Sequence, residues 1–227
     1  MISEIKGYAK QTSPSRVSEG AQVALRLMRE GSLSVASFLQ AMIFEGLGYS
    51  AFEGAFSTEA AGGGAAAVID IDRPNMTLGV PDKTSIMLFR VTSQAFMPLT
   101  VTDDDEAEIL LGVHVGTKIT VASATALTPR NLKTGVAAGS LIDAEKTHAT
   151  NIATAPTVDM ELARAVARGE MAGTPANAAW EKLELNYEPL VIPVIKGPST
   201  VLLYHGGTVA TDGFTQMFWV ELPTSDV

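Results

Sequence analysis

What most constrains this chain is the way short apolar runs follow one another with only turn residues between them. The segment 198–223 shows the pattern. Val201, Leu202, Leu203 and Tyr204 form one run, and His205-Gly206-Gly207 breaks it. After Asp212-Gly213 comes a second run with Phe214, Met217, Phe218, Trp219, Val220 and Leu222, which Pro223 ends. Runs of strand formers divided by Gly and Asp-Gly read as antiparallel β structure, here a closing pair of strands. Further strands are expected over 21–29, 49–57, 68–72, 75–80, 85–92, 95–101, 183–187 and 190–195. The runs 107–115 and 117–126 read as a hairpin around Gly116. Pro98, Pro189 and Pro193 suit edges or bends, because proline cannot donate to a ladder.

Helical signals are few. Residues 37–46 are expected to form a short helix that Ser37 caps and Gly46 ends. Residues 157–168 read as a second, with Thr157 as cap, Asp159 and Glu161 in the first turn, Arg164 and Arg168 near the end and Gly169 as the stop. Thr174-Pro175 opens a one-turn helix to Trp180. Nothing alternates strand with crossover helix, so a parallel sheet is not expected. The fold class is mainly β: an antiparallel β-sandwich of jelly-roll type with one or two short helices in its connections. The organisation is an arm over 1–20, a single domain over 21–223 with a loop and helix insertion around 128–180, and a tail over 224–227.

Composition limits function. The chain has 227 residues, a formal net charge of −9 and no cysteine. An acidic balance disfavours bulk electrostatic binding of nucleic acid. Without cysteine there are no disulfides, zinc–thiolate sites or thiol nucleophiles. No apolar run approaches the ~20 residues of a membrane-spanning helix, and the N-terminal stretch lacks the apolar core of a signal peptide. The chain is expected to be made in a cytoplasm.

The candidate sites are weak. His114, His148 and His205 are far apart, without the His-x-His pair that a cupin-like metal site uses, so His205 reads as turn chemistry. Asp103, Asp104, Asp105 and Glu106 are the one carboxylate cluster. They lack the spacing of a calcium loop, and a charged turn that discourages strand addition explains them. The glycines of 60–67 lack the Lys-Ser/Thr of a phosphate loop, and no nucleophile elbow is present. No catalytic residue, metal or cofactor is assigned, and an enzyme is not expected. Phe214 and Phe218 share one strand face and Trp219 takes the other. All three are expected to be buried, one side against another element or subunit.

Three stretches together resemble single jelly-roll virion proteins of viruses that infect bacteria. They are Arg29-Glu30-Gly31-Ser32-Leu33-Ser34-Val35 running to Gly54-Ala55-Phe56-Ser57, Arg73-Pro74-Asn75-Met76 running to Arg90, and Gly197-Pro198-Ser199-Thr200-Val201 running to Phe218-Trp219-Val220-Glu221. The resemblance implies a capsid subunit that assembles with copies of itself and other virion proteins through its arm, sandwich and loops. The other readings that the residues leave open are a carbohydrate-binding or adhesion sandwich and a cupin-like enzyme.

Overall fold

The structure is a computed structural model that describes residues 7–9, 25–27, 37–55, 59–61, 69–98, 105–119, 121, 124–137, 139–146, 152, 154–169, 180–207 and 211–222. In chain order its elements are β1 (Gly7–Ala9), β2 (Leu25–Leu27), α1 (Phe38–Phe44), β3 (Gly48–Glu53), β4 (Ala60–Ala61), β5 (Met76–Val80), β6 (Ser85–Pro98), β7 (Asp105–Val115), β8 (Thr125–Leu127), β9 (Arg130–Asn131), β10 (Asp143–Lys146), β11 (Met160–Gly169), β12 (Trp180–Tyr187), β13 (Val194–Lys196), β14 (Ser199–Gly207) and β15 (Asp212–Leu222). β1 and β2 form a separate parallel pair. All the other pairings are antiparallel.

The winding becomes clear when β3, β5, β6, β7, β11, β12, β14 and β15 are numbered first to eighth. The first pairs with the eighth, the second with the seventh, the third with the sixth and the fourth with the fifth. One sheet then runs β11-β7-β14-β5 and is extended by β10 and β8. The other runs β12-β6-β15-β3 and is extended by β9. A long antiparallel hairpin rolled up on itself gives this order, and it is the jelly roll. The core lies between the sheets. Met76, Leu78, Ile109, Leu111, Val201 and Leu203 face it from the first sheet, and Ile86, Leu88, Leu185, Met217 and Trp219 from the second.

The two sheets differ on their outer faces. Every residue of β14 is buried. Its outward Leu202 and Tyr204 pack with Leu110 under Ile69, Ile119 and Val158, which connecting segments lay over the first sheet. The Tyr204 hydroxyl donates to the Ile71 carbonyl at 3.1 Å, and the Ile119 N–H donates to Thr200 Oγ1 at 2.8 Å. In β15, by contrast, burial alternates, with Thr215, Met217 and Trp219 inward and Phe214, Gln216 and Phe218 outward and half-buried. Among the described residues no such cover lies over the second sheet. Phe52 on its outer face is exposed.

Several expectations need correction. Residues 160–169 are strand, not helix. Ala163, Ala165 and Ala167 recur at period two and pack on the core, while Arg164, Val166 and Arg168 point to solvent. Pairing with β7 along nine positions overrides the helical preference of Ala, Leu, Glu and Arg. Asp159 does not start a helix. It accepts the Val115 N–H at 2.7 Å and the Thr157 hydroxyl at 2.9 Å, which hold its carboxyl below the usual range.

The segment 69–73 is a turn rather than a strand, closed by the Arg73 N–H donating to the Asp70 carbonyl. β7 forms no hairpin with the residues after Gly116. Its neighbours are β11 and β14, and Thr125–Leu127 pairs with β10 instead. β6 continues to Pro98 as one strand, where a separate strand was expected from 95. Residues 190–193 are loop, and only Val194–Lys196 is strand. Trp180 opens β12 rather than ending a helix; 174–179 lie outside the described residues.

β14 and β15 are not a hairpin either. They belong to opposite sheets, because β14 is already flanked by β5 and β7, and β15 by β3 and β6. The helix α1 is as expected, with a reciprocal capping box between Ser37 and Gln40 and Gly46 at φ +82° past its end.

Candidate functional site

Register places the side chains of the second sheet on a grid. On the outer face, Phe52 of β3 lies opposite Gln216 of β15, Gln216 opposite Thr92 of β6, and Thr92 opposite Asn186 of β12. In the next row Phe214 lies opposite Gln94, and Gln94 opposite Glu184. The Gln94 amide donates to Glu184 Oε1 at 3.2 Å. Phe52 is 56% exposed. Phe96 meets Phe214 edge to face with centroids 6.3 Å apart. Further along, Phe89 tilts against Phe218, and the Arg90 guanidinium lies 5.9 Å from the Phe218 centroid. The pairing of β15 with β6 slips between Phe218 and Trp219, so an extra residue stands on the β6 side and Phe89 joins this outward cluster.

Phe52, Thr92, Gln94, Phe214 and Gln216 border an open cleft of about 250 Å³. β3 stops at Glu53, while β4 resumes pairing only at Gly213. Phe214 stands at this gap, and its ring fills the place a side chain on Gly54 would need. A Cβ there would come within 2.5 Å of the ring, and φ is +100°. Glycine is required at that position for both reasons.

Beneath the cleft the same rows carry polar groups inward. Glu53, Thr215 and Ser93 are cross-strand neighbours on the core side. His205 meets them from β14 of the facing sheet. Ser93 Oγ and His205 Nε2 are hydrogen-bonded at 2.7 Å, and Ser93 Oγ and Thr215 Oγ1 at 2.9 Å. The His205 backbone N–H donates to Asn75 Oδ1 at 2.7 Å. Burial pushes the imidazole down to about 4. Burial pushes the Glu53 carboxyl up to about 8, against a weaker pull from Lys146. A serine on a histidine is the start of a nucleophilic dyad, but Ser93 and His205 are 1% and 2% exposed. The pair holds the two sheets together and is closed to substrate.

The structure separates the residues picked from sequence. Trp219 is fully buried as expected, stacked on Tyr49 at 6.2 Å, with its Nε1–H donating to Glu221 Oε1 at 3.3 Å. Phe214 and Phe218 are half-buried on the outer face, not enclosed, because the period-two alternation of β15 that turns Trp219 inward turns them outward. His205 is a core residue, not part of a turn. His114 lies 3.3 Å from Asp159 and 3.0 Å from Thr157 Oγ1. His148, Asp103 and Asp104 lie outside the described residues. Asp105 opens β7, and Glu106 accepts from Arg168 at 2.7 Å across to β11. Among the described residues no group of His and acidic side chains is placed to hold a metal.

The apolar residues that the fold leaves in solvent were not evident from the sequence. In the loop 188–193 Leu190 is fully exposed and Val191 is 86% exposed. Pro189 and Pro193 flank them, and Arg90 pairs with Glu188 at 2.9 Å at the loop's base. Phe38 and Phe44 of α1 and Leu141 are also exposed. Among the described residues no helix is long and apolar enough to cross a membrane.

Comparison with known proteins returns no match: no family model, curated protein or solved structure is significantly similar to this chain.

Proposed function

We propose that this chain is a structural subunit of the icosahedral capsid of a virus that infects bacteria, assembling with copies of itself and with other virion proteins. The observation that carries the reading is the jelly-roll winding, in which eight strands pair first with eighth through fourth with fifth. That winding is shared by viral shells, lectins and cupins, and fold alone does not choose among them. Two further features favour a shell. The three stretches described above resemble jelly-roll virion proteins. The surface also presents large aliphatic and aromatic groups in ordered positions, on the loop 188–193 and on α1, that association between subunits would cover. The role is structural rather than catalytic, and the place of action is the virion.

Electron microscopy and light scattering of the purified full chain over a range of ionic strength test this. Closed particles or a defined oligomer are expected. A strict monomer under all conditions overturns the reading. In the double variant Leu190→Ser with Val191→Ser, the equilibrium is expected to move about 10-fold or more toward free subunits. Two aliphatic side chains each contribute on the order of 1–2 kcal/mol when buried. Both groups are in solvent, so thermal unfolding of the free subunit should be unchanged. Assembly equal to that of the parent removes this loop from the interfaces.

A further inference from the structure

We propose that the cleft between β3, β15 and β6, bordered by Phe52, Phe214, Gln216, Thr92 and Gln94, binds a neutral sugar ring.

Phe52 exposes more than half of its surface beside the opening, and Phe214 stands diagonally across from it. Between them lie two primary amides and a hydroxyl, placed by register on adjacent strands. A pyranose has this combination of surfaces. Its axial C–H groups form apolar faces that settle on aromatic rings, and its equatorial hydroxyls pair with amides. The volume of about 250 Å³ is at the small end for ligand sites, which suits one ring rather than an extended chain.

Charge narrows the class. The one ionisable group among the described residues lining the cleft is Glu53, and burial holds its carboxyl neutral at pH 7. A phosphate, sulfate or sialic acid would find no cation among the described lining residues. The exposed Leu190–Val191 loop of another copy is the rival occupant. It would fill the space but leave the Gln216 and Thr92 polar groups without partners, and burying each of these unpaired costs about 1–3 kcal/mol. A ligand that carries hydroxyls avoids that penalty.

Saturation-transfer NMR of the full chain with glucose, galactose, mannose and N-acetylglucosamine, and with N-acetylneuraminic acid as the charged comparison, tests the assignment. At least one neutral sugar is expected to bind with Kd of about 1 mM or tighter. Phe52→Ala and, separately, Gln216→Ala should each weaken it about 10-fold, with far-UV circular dichroism unchanged because both side chains face outward. Three results would each overturn the proposal: no neutral sugar bound at about 10 mM, tighter binding of the charged sugar, or binding that survives both substitutions. The sequence contains no cysteine, so a mixture of Val191→Cys and Gln216→Cys chains reports on the rival without background. A disulfide between them would place the loop of a second copy in the cleft and also overturn the proposal. No disulfide, together with sugar binding, supports it.

Discussion

Trp219→Ala is expected to remove about 3–5 kcal/mol of stability, enough to leave a domain of ordinary stability marginal or unfolded. Trp219 is fully buried between the sheets, stacked on Tyr49 and hydrogen-bonded to Glu221. It sits on β15, which lies between β3 and β6, so its neighbours cannot move in without disturbing both pairings. The cavity would therefore stay largely open, and its volume adds to the lost transfer energy of the indole. Urea unfolding followed by circular dichroism gives the value. A loss under 1 kcal/mol would show that the site collapses, and the packing described for β15 would need revision. Trp219→Phe keeps the ring stack but loses the bond to Glu221, and should cost about half as much or less.

The second large effect is on pH dependence, and it comes from two buried groups shifted in opposite directions. His205 titrates at about 4 in the fold against 6.5 in the open chain. As pH falls below 6.5 the unfolded chain takes up the proton first, so stability is lost down to about 4. The gap is worth on the order of 3 kcal/mol. Glu53 titrates at about 8 against 4.5. As pH rises past 4.5 the unfolded chain releases its proton first, so stability is lost up to about 8, on the order of 4–5 kcal/mol.

Between 4.5 and 6.5 the two slopes oppose each other, and the pair contributes little net pH dependence. From 6.5 to 8 only Glu53 acts, and a loss of about 2 kcal/mol is expected. Glu53→Gln should abolish that alkaline loss and unmask the acid one from 6.5 downward. His205→Asn should do the reverse, so that stability falls steadily from 4.5 to 8. Urea midpoints at intervals across pH 4–9 check this. Parallel curves for the parent and Glu53→Gln would refute the account of Glu53.

How much of this could be read in advance depended on which force ruled each segment. The long strands β5, β6, β7, β14 and β15 were visible because β-branched, aliphatic and aromatic residues run between turn residues. The helix α1 was visible because Ser37 and Gln40 form a local box. β11 was not, since its alanines, arginines and glutamate prefer a helix in isolation, and only their pairing with β7 makes them a strand. The period-two recurrence of Ala163, Ala165 and Ala167 was the available signal, muted because alanine is small. The partners of β14 and β15 were illegible for another reason. A four-residue connection, 208–211, suits a hairpin, and only the full strand order shows that both strands were already flanked. The polar row of Glu53, Thr215, Ser93 and His205 needed strand parity fixed by the neighbouring core residues. The same parity sends Phe52, Gln216 and Gln94 to the outer face.

The pairing of first strand with eighth also bears on how the chain is made. β3 has two neighbours, β15 over six positions and the two-residue β9. β15 supplies nearly all of its ladder, and among the described strands β15 is made last. Until then the second sheet lacks the strand that joins β3 to β6, and a nascent chain carries two unjoined halves of that sheet. Completion of this sheet therefore waits for β15, with its largest loop closure at the end, a topology associated with slow folding. Ribosome-stalled chains ending before residue 212 should remain protease-sensitive, whereas the completed and released chain should not.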